Sequence, residues 1–188
     1  MHYEVELKFP VTDLAALEAR LTALGALWDA PLEQRDCYFA HPCRDFAQTD
    51  EALRIRQIGT QCLVTYKGPK IDRATKTRRE IELPLSDAPS GFKRWTELLE
   101  SLGFRTVAEV RKRRRPGHLR WEDAKIEIAL DQVDEVGTFA ELELIADSQS
   151  LEAAQARILS LSATLGLAAA ERRSYLQLLL ALRTATGT

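Results

Sequence analysis

Two glutamates one residue apart, Glu4 and Glu6, stand in the segment Tyr-Glu-Val-Glu-Leu-Lys-Phe at residues 3–9, where Glu4, Glu6 and Lys8 alternate with Tyr3, Val5, Leu7 and Phe9. Period-two alternation describes a β-strand with one apolar and one charged face. On such a strand the two carboxylates lie about 7 Å apart, near enough to share one cation or to flank two. Hard oxygen donors of this kind suit Mg²⁺ or Mn²⁺. No softer site competes, because His2, His41 and His118 are scattered and Cys37, Cys43 and Cys62 form no paired CxxC. The cysteines are expected as reduced thiols.

The same alternation recurs along the chain. Arg54 and Arg56 alternate with Leu53 and Ile55; Arg78, Glu80 and Glu82 with Ile81 and Leu83; Lys112 and Arg114 follow Val110. Lys125 and Glu127 alternate with Ile126 and Ile128, Glu141 and Glu143 with Ala140, Leu142 and Leu144, and Lys67 ends a strand of its own. Arg54, Arg56, Lys67, Lys112 and Arg114 offer the multidentate donors that phosphate oxygens require. Carboxylates for a metal and cations for phosphate describe a metal–polyphosphate site. Neither GxxxxGK[ST] nor GxGxxG is present, so side chains rather than a glycine cradle would hold the phosphates.

A half-solvated antiparallel sheet is the ordinary source of such alternation. Solvated faces usually mix Ser, Thr, Gln and Asn with charges, however, and these positions are nearly all Glu, Lys or Arg. If the sheet closes into a barrel with helices outside, the charged faces point inward and must pair with each other or with a ligand. Pairing of that kind predicts that Arg56→Ala costs activity far more than fold.

The elements that must position these residues read as one α+β domain spanning residues 1–188. Strands are expected near residues 3–9, 36–39, 52–58, 61–67, 77–85, 107–115, 124–130 and 138–145, with turns at Pro42, Gly59 and Gly68-Pro69. Helices follow Asp13, cover about Gly91 to Leu102, and fill the C-terminal stretch as two segments, Leu151–Leu165 and Arg172–Leu182. Leu-Gly closes a helix three times, at Gly25, Gly103 and Gly166, a weak sign of internal duplication.

Bulk properties exclude several classes. With 188 residues, 45% of them hydrophobic, the chain can bury a core. Lys plus Arg at 26 against Asp plus Glu at 28 leaves a net charge of −2, which gives no bulk attraction to nucleic acid or an anionic membrane. Strand alternation splits the basic run Arg111–Arg115 between two faces and no aromatic platform accompanies it, so nucleic acid is not an expected partner. No segment is long and apolar enough to span a bilayer, and the N-terminus lacks a signal-peptide pattern. A cytoplasmic protein is expected. A homodimer is compatible with these features.

Glu4-Val5-Glu6-Leu7-Lys8 resembles the ExExK signature of the CYTH family, the triphosphate tunnel metalloenzymes, which contains class IV adenylyl cyclases, thiamine triphosphatases and inorganic triphosphatases. The likeness continues through His41–Phe46, Thr49–Arg56, Tyr66–Lys70, Thr75–Glu80, Val110–Arg114, Leu130–Val133, Gly137–Glu141 and Arg173–Leu176, in the manner of the class IV cyclase-like branch. The basic strand departs from that pattern by ending at Arg115-Pro116-Gly117.

The resemblance implies an eight-stranded antiparallel closed β-barrel, a tunnel, with helices packed outside. It implies metal ligation by Glu4, Glu6, Glu141 and Glu143, and phosphate binding by Lys8, Arg54, Arg56, Lys67, Arg78, Lys112 and Arg114. Asp131 and Lys8 would serve the chemistry, Asp131 by positioning a cation or a reacting group. Glu80, Glu82, Lys125 and Glu127 would complete the tunnel wall. The implied substrate is a nucleoside triphosphate or another triphosphate, with Mg²⁺ or Mn²⁺ as cofactor. The leading expectation is an adenylate cyclase making cyclic AMP and pyrophosphate. Inorganic or thiamine triphosphatase activity is the alternative, and a non-catalytic polyphosphate-binding module a third.

Overall fold

The computed structural model describes residues 2–70, 77–85, 90–147 and 149–187. Thr75 and Lys76, part of the likeness quoted above, lie outside the described residues. In chain order the elements are β1 (His2–Pro10), α1 (Leu14–Ala23), β2 (Leu27–Trp28), β3 (Leu32–Ala40), α2 (Phe46–Thr49), β4 (Ala52–Ile58), β5 (Gln61–Lys70), β6 (Arg78–Pro84), α3 (Ser90–Ser101), β7 (Arg105–Trp121), β8 (Ala124–Val133), β9 (Gly137–Asp147), α4 (Leu151–Thr164) and α5 (Tyr175–Thr186).

Eight strands close a barrel in the order β7-β3-β4-β5-β6-β1-β9-β8, and β8 returns to pair with β7. Every pairing is antiparallel. The expected architecture is therefore the observed one. The shortest join is a two-residue-pair contact of β1 with β6, where Glu4 lies opposite Arg78.

Closure explains β1. Its apolar face, Val5, Leu7 and Phe9, packs outward under α1 and α4 with Leu17, Leu21, Ile158 and Leu161. Burying each such Leu or Ile contributes about 1.5–3 kcal/mol. The opposite face is not solvated. Glu4, Glu6 and Lys8 are all buried, Lys8 to 1% exposure, because that face is the inside of the barrel. A second cluster places α3 through Phe92 against Cys37, Phe39 and Ile55. A third places α5, through Tyr175, Leu178 and Leu179, against Tyr38, Val110, Val133 and Phe139 at one end of the barrel.

Helix ends follow the expected chemistry. Asp13 accepts from the Ala16 amide at the start of α1, and Ser174 opens α5 with a reciprocal capping box to Gln177. Gly25, Gly103 and Gly166 all adopt positive φ just beyond a helix, as the left-handed exit from a helix favours.

Several boundaries differ from the sequence reading. Residue pair Pro116-Gly117 does not end the basic strand: β7 runs on to Trp121, with Pro116 opposite Ala129 and Gly117 opposite Ile128. A glycine is required there, since a Cβ at position 117 would stand 2.5 Å from Cε3 of Trp28. The short strand β2, unforeseen in the sequence, lies along this stretch, and Asp29 donates its amide to the Pro116 carbonyl at 3.0 Å. Gly68-Pro69 is likewise not a turn. Strand β5 continues to Lys70, with its register against β6 shifting between Lys67 and Lys70. The short helix α2, also unforeseen, is capped by Asp45.

Candidate functional site

The barrel encloses a cavity of about 910 Å³. Its wall brings together Glu4, Glu6 and Lys8 of β1, Arg54 and Arg56 of β4, Lys67 of β5, Arg78, Glu80 and Glu82 of β6, Lys112 and Arg114 of β7, and Glu141 and Glu143 of β9. Six strands of the closed barrel thus deliver charge to one space, and period-two alternation alone selects which side chains face it.

Opposite charges are matched across the ladders. In register, Lys8 faces Glu141, Glu4 faces Arg78, Lys67 faces Glu80, Asp36 faces Arg56, and Arg114 faces Asp131. Lys67 Nζ donates to Glu4 at 2.8 Å and is also in ion-pair contact with Glu80. Arg114 donates to both oxygens of Asp131, at 2.7 and 2.5 Å, and to Glu141. Arg56 forks onto Asp36 with two bonds of 2.7 Å. Lys8 Nζ donates to the carbonyl of Arg173 at 2.5 Å. The buried Nε of Arg54 has no hydrogen-bond partner among the described residues.

The electrostatics follow from these contacts. Burial works against the charge on Glu4, but Lys67 outweighs it and holds the carboxyl well below its usual range. Asp36 is held low against burial by Arg56 and Arg54. Glu80 is pushed up to about 7 by burial and by its hydrogen bond with Glu4. Burial and the charge of Arg114 lower Lys112 to about 8. Glu143 rises to about 9 through burial and the charges of Glu4 and Glu6. Glu6 and Glu143 lie opposite each other in register, and Glu127 faces Glu143 from β8, so carboxylates meet carboxylates here.

That excess of negative charge, together with the all-carboxylate donor set, fits a hard divalent cation. The seat is not preformed: among the described residues no three carboxylate, imidazole or thiol groups converge on one metal-sized point. Glu4 and Glu141 are engaged by Lys67 and Arg114 instead.

Some expected residues fall elsewhere. Lys125 and Glu127 do not line the cavity. They are exposed and paired with each other at 2.7 Å, because β8 carries them beyond the enclosed section even though they share a strand face with Asp131. Asp131 itself, with 0% exposure, stands behind the wall rather than on it. It accepts from Lys112 at 3.3 Å, from Arg114, and from the Tyr175 hydroxyl at 2.9 Å, which makes it a positioning residue for cations. Tyr38, Thr65 and Tyr175, none of them among the expected site residues, also line the cavity, and Asp36, read from the sequence only as part of a strand, holds two of its arginines. Alternation with Cys37 and Phe39 was the available signal for Asp36 and Tyr38.

Comparison with known proteins agrees with this geometry. A Methanocaldococcus jannaschii protein, provisionally named an adenylate cyclase, is 39% identical over 140 residues, covering 74% of this chain and 75% of its own. The adenylate cyclase CyaB of Aeromonas hydrophila is 29% identical over 182 residues, covering 92% of this chain and 86% of its own. The solved structure of the PH1819 protein from Pyrococcus horikoshii superposes with a TM-score of 0.83 at 37% identity, over 95% of this chain and 98% of that one. The CYTH domain matches residues 2–175, a span that includes every strand of the closed barrel and every charged residue of the cavity wall, and the chain belongs to the CYTH family.

Proposed function

We propose that the protein is a metal-dependent enzyme acting on a nucleoside triphosphate held in the tunnel, with conversion of ATP to cyclic AMP and pyrophosphate as the leading reaction. The observation that carries this reading is the continuity of one cavity. Its lining joins those cations and carboxylates with the apolar side chains of Phe46, Leu53, Val107, Ile145, Leu176 and Leu180. A bare triphosphate would use only the charged section. A nucleotide uses both, its phosphates among the cations and its base against apolar side chains.

In this reading Lys8, Arg54, Arg56, Lys67, Arg78, Lys112 and Arg114 bind and orient the phosphate chain. Asp131 holds Lys112 and Arg114 in place from behind. A Mg²⁺ or Mn²⁺ ion held by Glu4, Glu6, Glu141 and Glu143 would neutralise charge developing on phosphate oxygens. The 3′-hydroxyl oxygen bonds to the α-phosphorus, the bond from that phosphorus to the bridging oxygen breaks, and pyrophosphate leaves with the electron pair while the hydroxyl proton is released. Fixed cations stabilise the transition state because they need no reorganisation as charge moves. The names of the Methanocaldococcus and Aeromonas relatives support the cyclase within the family.

A triphosphatase is the second reading, favoured by Glu4, Glu6, Glu141 and Glu143, which with the cations can grip a triphosphate whatever it is attached to. The two are separated by incubating the protein with ATP, and separately with tripolyphosphate, in Mg²⁺ and in Mn²⁺, and resolving products by anion exchange. Cyclic AMP with pyrophosphate is the expected result. Orthophosphate without cyclic AMP would replace the cyclase with the triphosphatase, and tight binding without turnover would leave a binding module.

A further inference from the structure

Tyr175, the first residue of α5, is buried against the cavity and gathers several of its charges. Its ring lies under the ammonium of Lys8 at 4.0 Å and near that of Lys112 at 4.9 Å. Its hydroxyl donates to Asp131, the carboxylate that also accepts from Lys112 and Arg114. Burial and the charges of Glu141 and Asp131 raise the phenol well above its usual range, so it remains a donor. The ring is fixed in turn by an edge contact with Phe139, 5.2 Å between centroids, and by the capping box of Ser174 and Gln177.

Two lysines converging on one buried spot repel each other and resist desolvation. An aromatic ring that both ammoniums approach answers both problems: its quadrupole attracts each ammonium, and unlike a carboxylate it leaves their net positive charge available to an anion. We propose that Tyr175 is a positioning residue for the triphosphate, holding Lys8 and Lys112 charged and side by side through its ring. The proposal rests on the triphosphate reading of the cavity. The hydroxyl has the lesser part, since Asp131 keeps its bonds to Arg114 without it.

The test is calorimetric titration of the full chain with tripolyphosphate in Mg²⁺, beside a thermal melt of each variant. Tyr175→Leu removes the ring and is expected to weaken binding about tenfold, what one or two desolvated cation–π contacts amount to. Tyr175→Phe keeps the ring and is expected to stay within about threefold of wild type. A folded Leu variant that binds as wild type does, or a Phe variant as weak as Leu, overturns the proposal. If Tyr175→Leu does not fold, phenylalanine with increasing ring fluorination at position 175 decides at constant shape. Stepwise loss of affinity supports the proposal and a flat series overturns it. Absence of tripolyphosphate binding by the wild-type protein is a different result, which removes the triphosphate reading and the proposal together.

Discussion

Arg56 and Asp36 form a forked pair inside the barrel, two bonds of 2.7 Å between side chains that are 8% and 1% exposed. Arg54 reaches the same carboxylate at only 3.5 Å. Removing Arg56 would leave the buried Asp36 without its forked partner, facing only the looser contact of Arg54 and the charge of Lys112, and breaking a buried pair by deleting one partner costs about 3–5 kcal/mol. The sequence reading expects Arg56→Ala to cost activity far more than fold; the forked pair adds a stability cost of its own. Both activity and stability are expected to fall, with a urea midpoint clearly below wild type, and Arg56→Lys should recover part of the stability by restoring the charge without the fork. An unchanged urea midpoint in Arg56→Ala would contradict this account.

Glu143→Gln should move stability and activity in opposite directions. Burial and the charges of Glu4 and Glu6 push the Glu143 carboxyl up to about 9, so folding at pH 8 must protonate it, a cost that a neutral isostere avoids. In metal-free buffer at pH 8 the neutral isostere is expected to melt about 2–4 °C above wild type, the equivalent of roughly 1 kcal/mol in a domain of this size. Added Mn²⁺ should then stabilise the wild type more than the variant, and metal-dependent turnover should drop at least about tenfold. A variant that melts lower than wild type without metal would show that Glu143 is already compensated.

The pH dependence of anion binding should carry the signature of Lys112. Its folded value, about 8, lies below the ordinary lysine value of 10.5. The unfolded chain therefore binds more protons between those two values, and this residue's contribution to stability rises with pH across that window. Phosphate affinity runs the other way: the ammonium is present below about 8 and lost above it. Tripolyphosphate binding in Mg²⁺ is expected to weaken by about tenfold from pH 7 to pH 9.5, with proton uptake on binding near pH 8.5. In Lys112→Arg the step near 8 should vanish, because a guanidinium keeps its proton throughout.

Lys125→Ala combined with Glu127→Ala should be nearly silent. The pair is exposed and clear of the cavity, and exposed pairs contribute about 0–1 kcal/mol. Melting temperature and turnover are expected to match wild type, and a loss of turnover would bring the far stretch of β8 back into the site.

What was legible in the sequence was whatever alternation encodes. Period two assigns a side to each residue, and it placed Glu4, Glu6, Arg54, Arg56, Lys112, Arg114, Glu141 and Glu143 on the face that became the cavity wall. It does not say how far along the barrel a residue stands. Lys125 and Glu127 share the face of Asp131 yet fall outside the enclosed section. Strand ends were obscured by residues that usually stop strands: Pro116-Gly117 continues β7 because Trp28 needs the space a side chain would fill. Tyr175 was out of reach for another reason. Its contacts are with residues 44 and 167 positions away, Asp131 and Lys8, and only the docking of α5 across the barrel end brings them together.

The ion pairs of the wall also set what kind of guest the tunnel accepts. Glu4 is matched by Lys67 and Glu141 by Arg114, so a lone cation drawn to the carboxylates must strand a lysine or an arginine, and a lone anion drawn to the cations must strand a glutamate. Either exchange swaps one buried contact for another and gains little. A polyphosphate that arrives with its own divalent counter-ion opens each pair and supplies a replacement for both halves at once. Metal and phosphate should therefore enter as a single salt, each raising the affinity for the other by the same factor.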